Sequence, residues 1–222
     1  MRAKTRRFIL WNAFLYLICL CLALKIKDVA SVGPYATEIG LSKLNIGFRN
    51  LWHYNTEFGY SKPWFTLGMI LNFICIVNCV FWIGMLVREV IKSGRLDGVG
   101  TDKNYFATVF LYIAALISSL LLKAFKINYG PVPGHLVISA SFPSVPVLIY
   151  IVSIGSAVFH IWALFGEKKK LCIAVSVFGT VLMLIGIIAV AASGICWFTD
   201  ILGSILLGIV LMMLYTFFFD AD

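Results

Sequence analysis

The feature that most constrains this chain is a series of six apolar runs, each close to 20 residues long, at about 8–26, 64–87, 106–122, 147–165, 171–192 and 201–219. A bilayer hydrocarbon core about 30 Å thick takes roughly 20 apolar residues per helix, so each run is long enough to cross one. The only Asp, Glu, Lys or Arg among them is Lys25, within a turn of the end of the first run, where its stem can reach the interface. The runs are apolar on every face instead of alternating, which excludes a membrane barrel. With 61% hydrophobic residues, 13% charged residues and a mean hydropathy of +0.98, a water-soluble domain would carry an adhesive surface. The expected fold is therefore all-α, a polytopic membrane bundle of about six helices. It forms one membrane domain over 1–222, with external loops at about 27–63 and 123–146.

Orientation follows from the basic residues, which are enriched beside helix ends on the cytoplasmic side. Eleven of the 18 Lys and Arg fall on one side: Arg2, Lys4, Arg6, Arg7, Arg88, Lys92, Arg95, Lys103 and Lys168 to Lys170. The other seven are spread through longer segments, so both termini are expected in the cytoplasm and the protein in the plasma membrane, on a bacterial inner-membrane plan. The net charge of +8 then reflects topology and attraction to anionic lipid, with no nucleic-acid partner implied. The basic start and first run are read as an uncleaved anchor, because the run exceeds the core of a secretory signal and no small-x-small site follows.

Five of the six cysteines, Cys19, Cys21, Cys75, Cys79 and Cys172, lie in or at the edge of the runs and read as small packing residues. Cys75 and Cys79 share a helix face, yet no His or carboxylate nearby completes a metal site, so no metal and no cofactor is expected. In the first external loop, LSKLNIGFRNLWHY predicts a short amphipathic helix in the interface, with Trp52, Tyr54, Tyr60 and Trp64 as an aromatic belt and His53 as an interfacial polar residue. Asn72, Asn78 and His160 read as hydrogen-bonding residues between helices. The second loop, 123–146, holds four of the six prolines. Pro131 and Pro133 forbid helix there, while Pro146 suits the first turn of the fourth span, with Ser144 as its cap. The free N–H groups behind that cap would face an anion on the outer surface. The link SGICWFTD at 193–200 returns to the same surface.

Three motif-like stretches meet at that surface. Lys123 is followed after six residues by Gly130 and Pro131; FPSVP carries Pro143, Ser144, Val145 and Pro146; and AVAASGICWFTD carries Ala189, Val190, Cys196 and Asp200. In order and spacing they resemble the type 2 phosphatidic acid phosphatase family of membrane lipid phosphatases, whose signature runs Lys-x6-Arg-Pro, Pro-Ser-Gly-His, Ser-Arg-x5-His-x3-Asp. The resemblance covers about 120–212; earlier residues match in hydrophobic layout alone. It implies that Lys123, Ser144 and Asp200 are retained, whereas Gly130, Pro146, Val190 and Cys196 stand where the family has Arg, His, Arg and His, and Ala189 where it has Ser.

In the family the final His forms a phosphohistidine, the Asp orients it, and the second-motif His protonates the leaving oxygen. Lys, two Arg and backbone N–H groups hold the phosphoryl oxygens. Phosphoryl transfer depends on positioning and charge stabilisation, so loss of both Arg and both His implies a pseudoenzyme. Such a site could still bind a lipid phosphate or pyrophosphate headgroup, through Lys123, Lys126, Ser144 and His135, with membrane lipids as partners. Two alternatives remain open: an active phosphatase using Cys196 as nucleophile, or a structural or interaction protein whose pocket is packed shut by Val145, Pro146 and Val190. An outward polar cavity would favour binding and a filled one the structural role. A transporter is disfavoured by the near absence of ionisable residues within the spans.

Overall fold

The computed structural model describes residues 3–32, 36–52, 59–93, 102–131 and 140–218; His53, Tyr54, Pro133 and His135 lie outside them. Each apolar run forms one long helix: α1 (Ala3–Ile26), α3 (Lys62–Ser93), α4 (Asp102–Ala124), α5 (Val145–Phe165), α6 (Lys169–Ser193) and α7 (Phe198–Phe218), with a short α2 (Ser42–Asn50) between the first two. The six long helices are all apolar enough to cross a membrane. The 32-residue α3 is about 48 Å long at 1.5 Å per residue, so it runs past the hydrocarbon at its C-terminal end. Pro146 sits in the first turn of α5, where its missing N–H costs nothing. Gly194 ends α6 with φ 76°, a left-handed cap suited to glycine.

Helices α5 and α7 form the centre of the bundle. Their apolar stretches are 39% and 50% buried, against 17–28% for the other four, and their N-termini carry the second motif-like stretch and the Asp200 end of the third. Glycines let the two approach closely: a Cβ on Gly208 would lie 2.8 Å from Ile151 Cγ2, and one on Gly155 2.7 Å from Met212 Cε. Against α3, the Tyr150 hydroxyl donates to the Gly68 carbonyl (2.7 Å), Ser153 Oγ to the Cys75 carbonyl (2.9 Å), and Asn78 Nδ2 to Ser153 Oγ (2.9 Å). Near the other end of α5, His160 Nε2 meets Thr108 Oγ1 of α4 at 2.8 Å and stacks on Trp82 of α3, with ring centroids 3.9 Å apart. Asn78 and His160 thus join helices, as their placement in apolar runs predicts. The Asn72 amide oxygen is buried with no hydrogen-bond partner among the described residues.

Arg6 Nη1 donates to the Thr216 carbonyl at 2.7 Å, which puts the two chain ends at the same end of the bundle. At the far end the described residues between α1 and α3 form a layer of their own. Strand β1 (Ala30–Val32) pairs antiparallel with β2 (Thr37–Ile39), Ala30 opposite Ile39, and leads into α2. With three residues per strand, this hairpin is too short for an alternating pattern to announce it. Gly40 rests on the backbone of Leu24, where any side chain would collide with the last turns of α1. Asp28 then starts α2, its Oδ2 accepting the Lys43 N–H at 2.7 Å and its carbonyl the Ser42 N–H at 3.0 Å. Helix α2 is amphipathic in an inverted sense: it turns buried Ser42 and Asn45 inward and leaves Leu44 exposed, with Leu51 and Trp52 exposed just past its end, as a helix at a lipid interface can.

Candidate functional site

The far end gathers the start of α5, the α6–α7 link and the loop after α4. At their junction Ser144, Cys196 and Asp200 are in direct contact. Ser144 takes the cap position of α5 in an extended conformation, but its side chain makes no capping bond. Instead its Oγ accepts from Cys196 Sγ at 3.4 Å, its N–H donates to the Asp200 carbonyl at 3.2 Å, and its carbonyl accepts from Ser204 Oγ at 2.9 Å. Ser144 is 1% exposed and so engaged on every side, which removes it from the set facing an external anion.

Asp200 is fully buried, and its carboxylate is held by the chain itself. Oδ2 accepts the Trp197 N–H at 3.2 Å, closing the first turn of α7, and Oδ1 accepts Asn128 Nδ2 at 3.3 Å. Asn128, also fully buried, donates to Thr199 Oγ1 at 3.1 Å and accepts from the Gly40 N–H at 3.0 Å. Asn45 completes the set: its Oδ1 accepts the Thr199 N–H at 3.1 Å, and its Nδ2 donates to Thr199 Oγ1 at 3.0 Å and to the Gly40 carbonyl at 2.9 Å. Trp197 Nε1 donates to the Tyr129 carbonyl at 2.6 Å. The first N–H groups of α7, which could otherwise receive an anion, are thus partly met by Asn45 and Asp200. Sequence reasoning missed Asn45, Asn128, Thr199 and Ser204. Two asparagines outside the apolar runs, Asn45 in α2 and Asn128 in the loop after α4, are the signal that could have found this network.

Two of the replaced positions, Pro146 and Val190, line a different opening from the lysines. Pro146, Ala189 and Val190 line an apolar cleft between α3, α5 and α6, together with Trp64, Gly68 and Asn72. Its free volume is about 10 Å³, room for one water at most. Ala189 and Val190 are 0% and 2% exposed. Lys123, in the last turn of α4, and Lys126 instead line an open hollow of about 690 Å³, walled among the described residues by Ala36, Thr37, Glu38, Tyr129 and Ala140. Lys25 Nζ donates to the Lys126 carbonyl at 2.8 Å and so ties this loop to α1. Gly130 and Pro131 follow in the same loop, half-buried and buried. The structure therefore brings Ser144, Cys196 and Asp200 together, sets Lys123 and Lys126 on an open hollow with the Lys123 charge still acting on Cys196, and places Pro146 and Val190 on the narrow apolar cleft.

Burial, with the Asp200 carboxylate adding to it, pushes the Cys196 thiol up to about 12; the Ser144 hydroxyl and the Lys123 charge oppose this more weakly. The thiol is protonated at neutral pH and donates to Ser144. In a variant keeping Cys196 as its only cysteine, maleimide labelling at pH 8 should be about a thousandfold slower than for an ordinary thiol, the ratio that three pKa units produce, and should accelerate only as pH approaches 12. Fast labelling at pH 8 would show an activated thiolate.

No protein-family profile matches the chain, and no curated protein matches it in sequence. In structure it is similar to a transmembrane PAP2-type phosphatidylglycerolphosphate phosphatase from Bacillus subtilis, with a TM-score of 0.64 at 17% identity over 95% of this chain and 96% of the other. The likeness takes in the whole bundle, including α1 and α3, where the motif-like stretches are absent. Six apolar helices arranged in this way make the chain an integral membrane protein with a PAP2-like phosphatase fold.

Proposed function

We propose that this chain is a catalytically silent PAP2-like membrane protein that holds a phosphorylated lipid headgroup at the external face without cleaving it. The observation that carries the reading is the division of the site into a closed apolar cleft at Pro146, Ala189 and Val190 and an open hollow at Lys123 and Lys126. A cleft of about 10 Å³ has no space for a phosphoryl group, whereas the hollow has the size of a small-ligand site. The structural neighbour is named for a phosphatidylglycerolphosphate, which makes a phosphorylated glycerolipid the first ligand chemistry to try. Eleven of the 18 basic residues on the side of the termini support cytoplasmic termini in a plasma membrane. The hollow would then face the outer-leaflet headgroups. Ser144 lies inside the buried contacts, so the headgroup role rests on Lys123 and Lys126.

The test is headgroup binding by purified protein in non-ionic detergent, with dihexanoyl phosphatidate as the probe. Lys123→Ala should weaken binding about tenfold, the effect of one lost charge-assisted hydrogen bond, and binding should weaken with added salt. Unchanged affinity in Lys123→Ala would sink the headgroup role and leave a purely structural protein, the reading that the closed cleft also favours.

A further inference from the structure

The hollow presents an acid as well as two bases. Glu38 lies in β2, where Ile39 turns inward and Glu38 outward, and it lines the same opening as Lys123 and Lys126. The other carboxylates close to this layer, among the described residues, are engaged: Asp28 accepts the Lys43 N–H, and Asp200 is buried against Trp197 and Asn128. Among the described residues Glu38 makes no ion pair with either lysine. A phosphomonoester near −2 would set its second charge against Glu38. A phosphodiester bearing an ammonium group would satisfy both lysines and the carboxylate. Quaternary ammonium groups are recognised by cages of several aromatic rings. Tyr129 is the one aromatic among the described lining residues, and a carboxylate suits an ammonium that carries N–H donors.

We infer that the hollow selects a lipid whose headgroup carries a primary ammonium together with its phosphate, a phosphoethanolamine-type headgroup, with Lys123 and Lys126 on the phosphate and Glu38 on the ammonium; this rests on the headgroup reading above. A membrane lipid, and not a soluble phosphate ester, is the occupant because Lys123 ends a membrane-spanning helix and Phe125 beside it is 70% exposed, a surface for acyl chains.

The experiment measures binding of the full chain in non-ionic detergent to four probes: dihexanoyl phosphatidylethanolamine, phosphatidate and phosphatidylcholine, and glycerophosphoethanolamine. The ethanolamine lipid should bind about fivefold tighter than the other two lipids, the scale of one partly solvated ion pair, and Glu38→Gln should remove that preference without changing the thermal melt. Lys123→Ala should weaken all three lipids. If ethanolamine lipid and phosphatidate bind equally, unaffected by Glu38→Gln but dependent on Lys123, amine selection is wrong and headgroup binding stands. Should Lys123→Ala leave every lipid unaffected, both fail. Choline lipid binding as tightly as ethanolamine lipid would overturn the primary-ammonium assignment, and glycerophosphoethanolamine binding as tightly as its lipid would overturn the assignment to a membrane lipid.

Discussion

Alanine at Asp200 is expected to cost about 3 kcal/mol of stability, lowering the apparent Tm by about 6–12 °C, although the residue matches the catalytic position of a phosphatase motif. The substitution strands two buried donors, the Trp197 N–H and the Asn128 amide, each of which would lose a carboxylate partner where water has little access. The loss spreads, because Asn128 also receives the Gly40 N–H and donates to Thr199, and Thr199 is held by Asn45. Asp200→Asn keeps the shape and one acceptor oxygen, so it should cost markedly less. Thermal unfolding of the two variants in detergent measures the difference. A melting temperature unchanged in Asp200→Ala would show that the carboxylate is not a structural member of this network.

The second large effect is an absence of turnover. Enzymes that transfer phosphoryl groups accelerate the reaction by many orders of magnitude through positioned charge, a nucleophile and an acid. Here Gly130 and Val190 carry no charge, Pro146 has no proton to give, and Cys196 is held as a neutral thiol by burial and by Asp200. The retained Lys123 supplies one cation, and it opens on the hollow and not on the cleft. The cleft beside Val190 and Pro146 is small as well, about 10 Å³. Phosphate release from lipid phosphates should therefore equal that of a protein-free control.

The membrane bundle was legible because its signal is long and one-dimensional. Six runs of about 20 apolar residues announce six helices, and the last of them, expected at about 201–219, is Phe198–Phe218. The extra turn at its start was hidden because Thr199 and Asp200 read as link residues. In three dimensions they are the first turn of α7, made tolerable by Asn45, Asn128 and Trp197. Ser144, Cys196 and Asp200, which the motif spacing groups, meet at one junction. That spacing could not separate Lys123 from Val190, because sequence order carries no information about which side of α5 and α7 each residue takes. The same limit hid Glu38. A lone acid in a loop has no periodicity, and only the β1–β2 pairing brings it to the hollow that Lys123 lines.

The central proposal is that a chain with a phosphatase-like fold does not cleave lipid phosphates. The most direct measurement is phosphate release by purified wild-type protein from phosphatidate, phosphatidylglycerophosphate and a polyprenyl pyrophosphate, with Cys196→Ser and Asp200→Asn as controls. The prediction is no release above the protein-free background for any substrate; turnover that either substitution abolishes would contradict it.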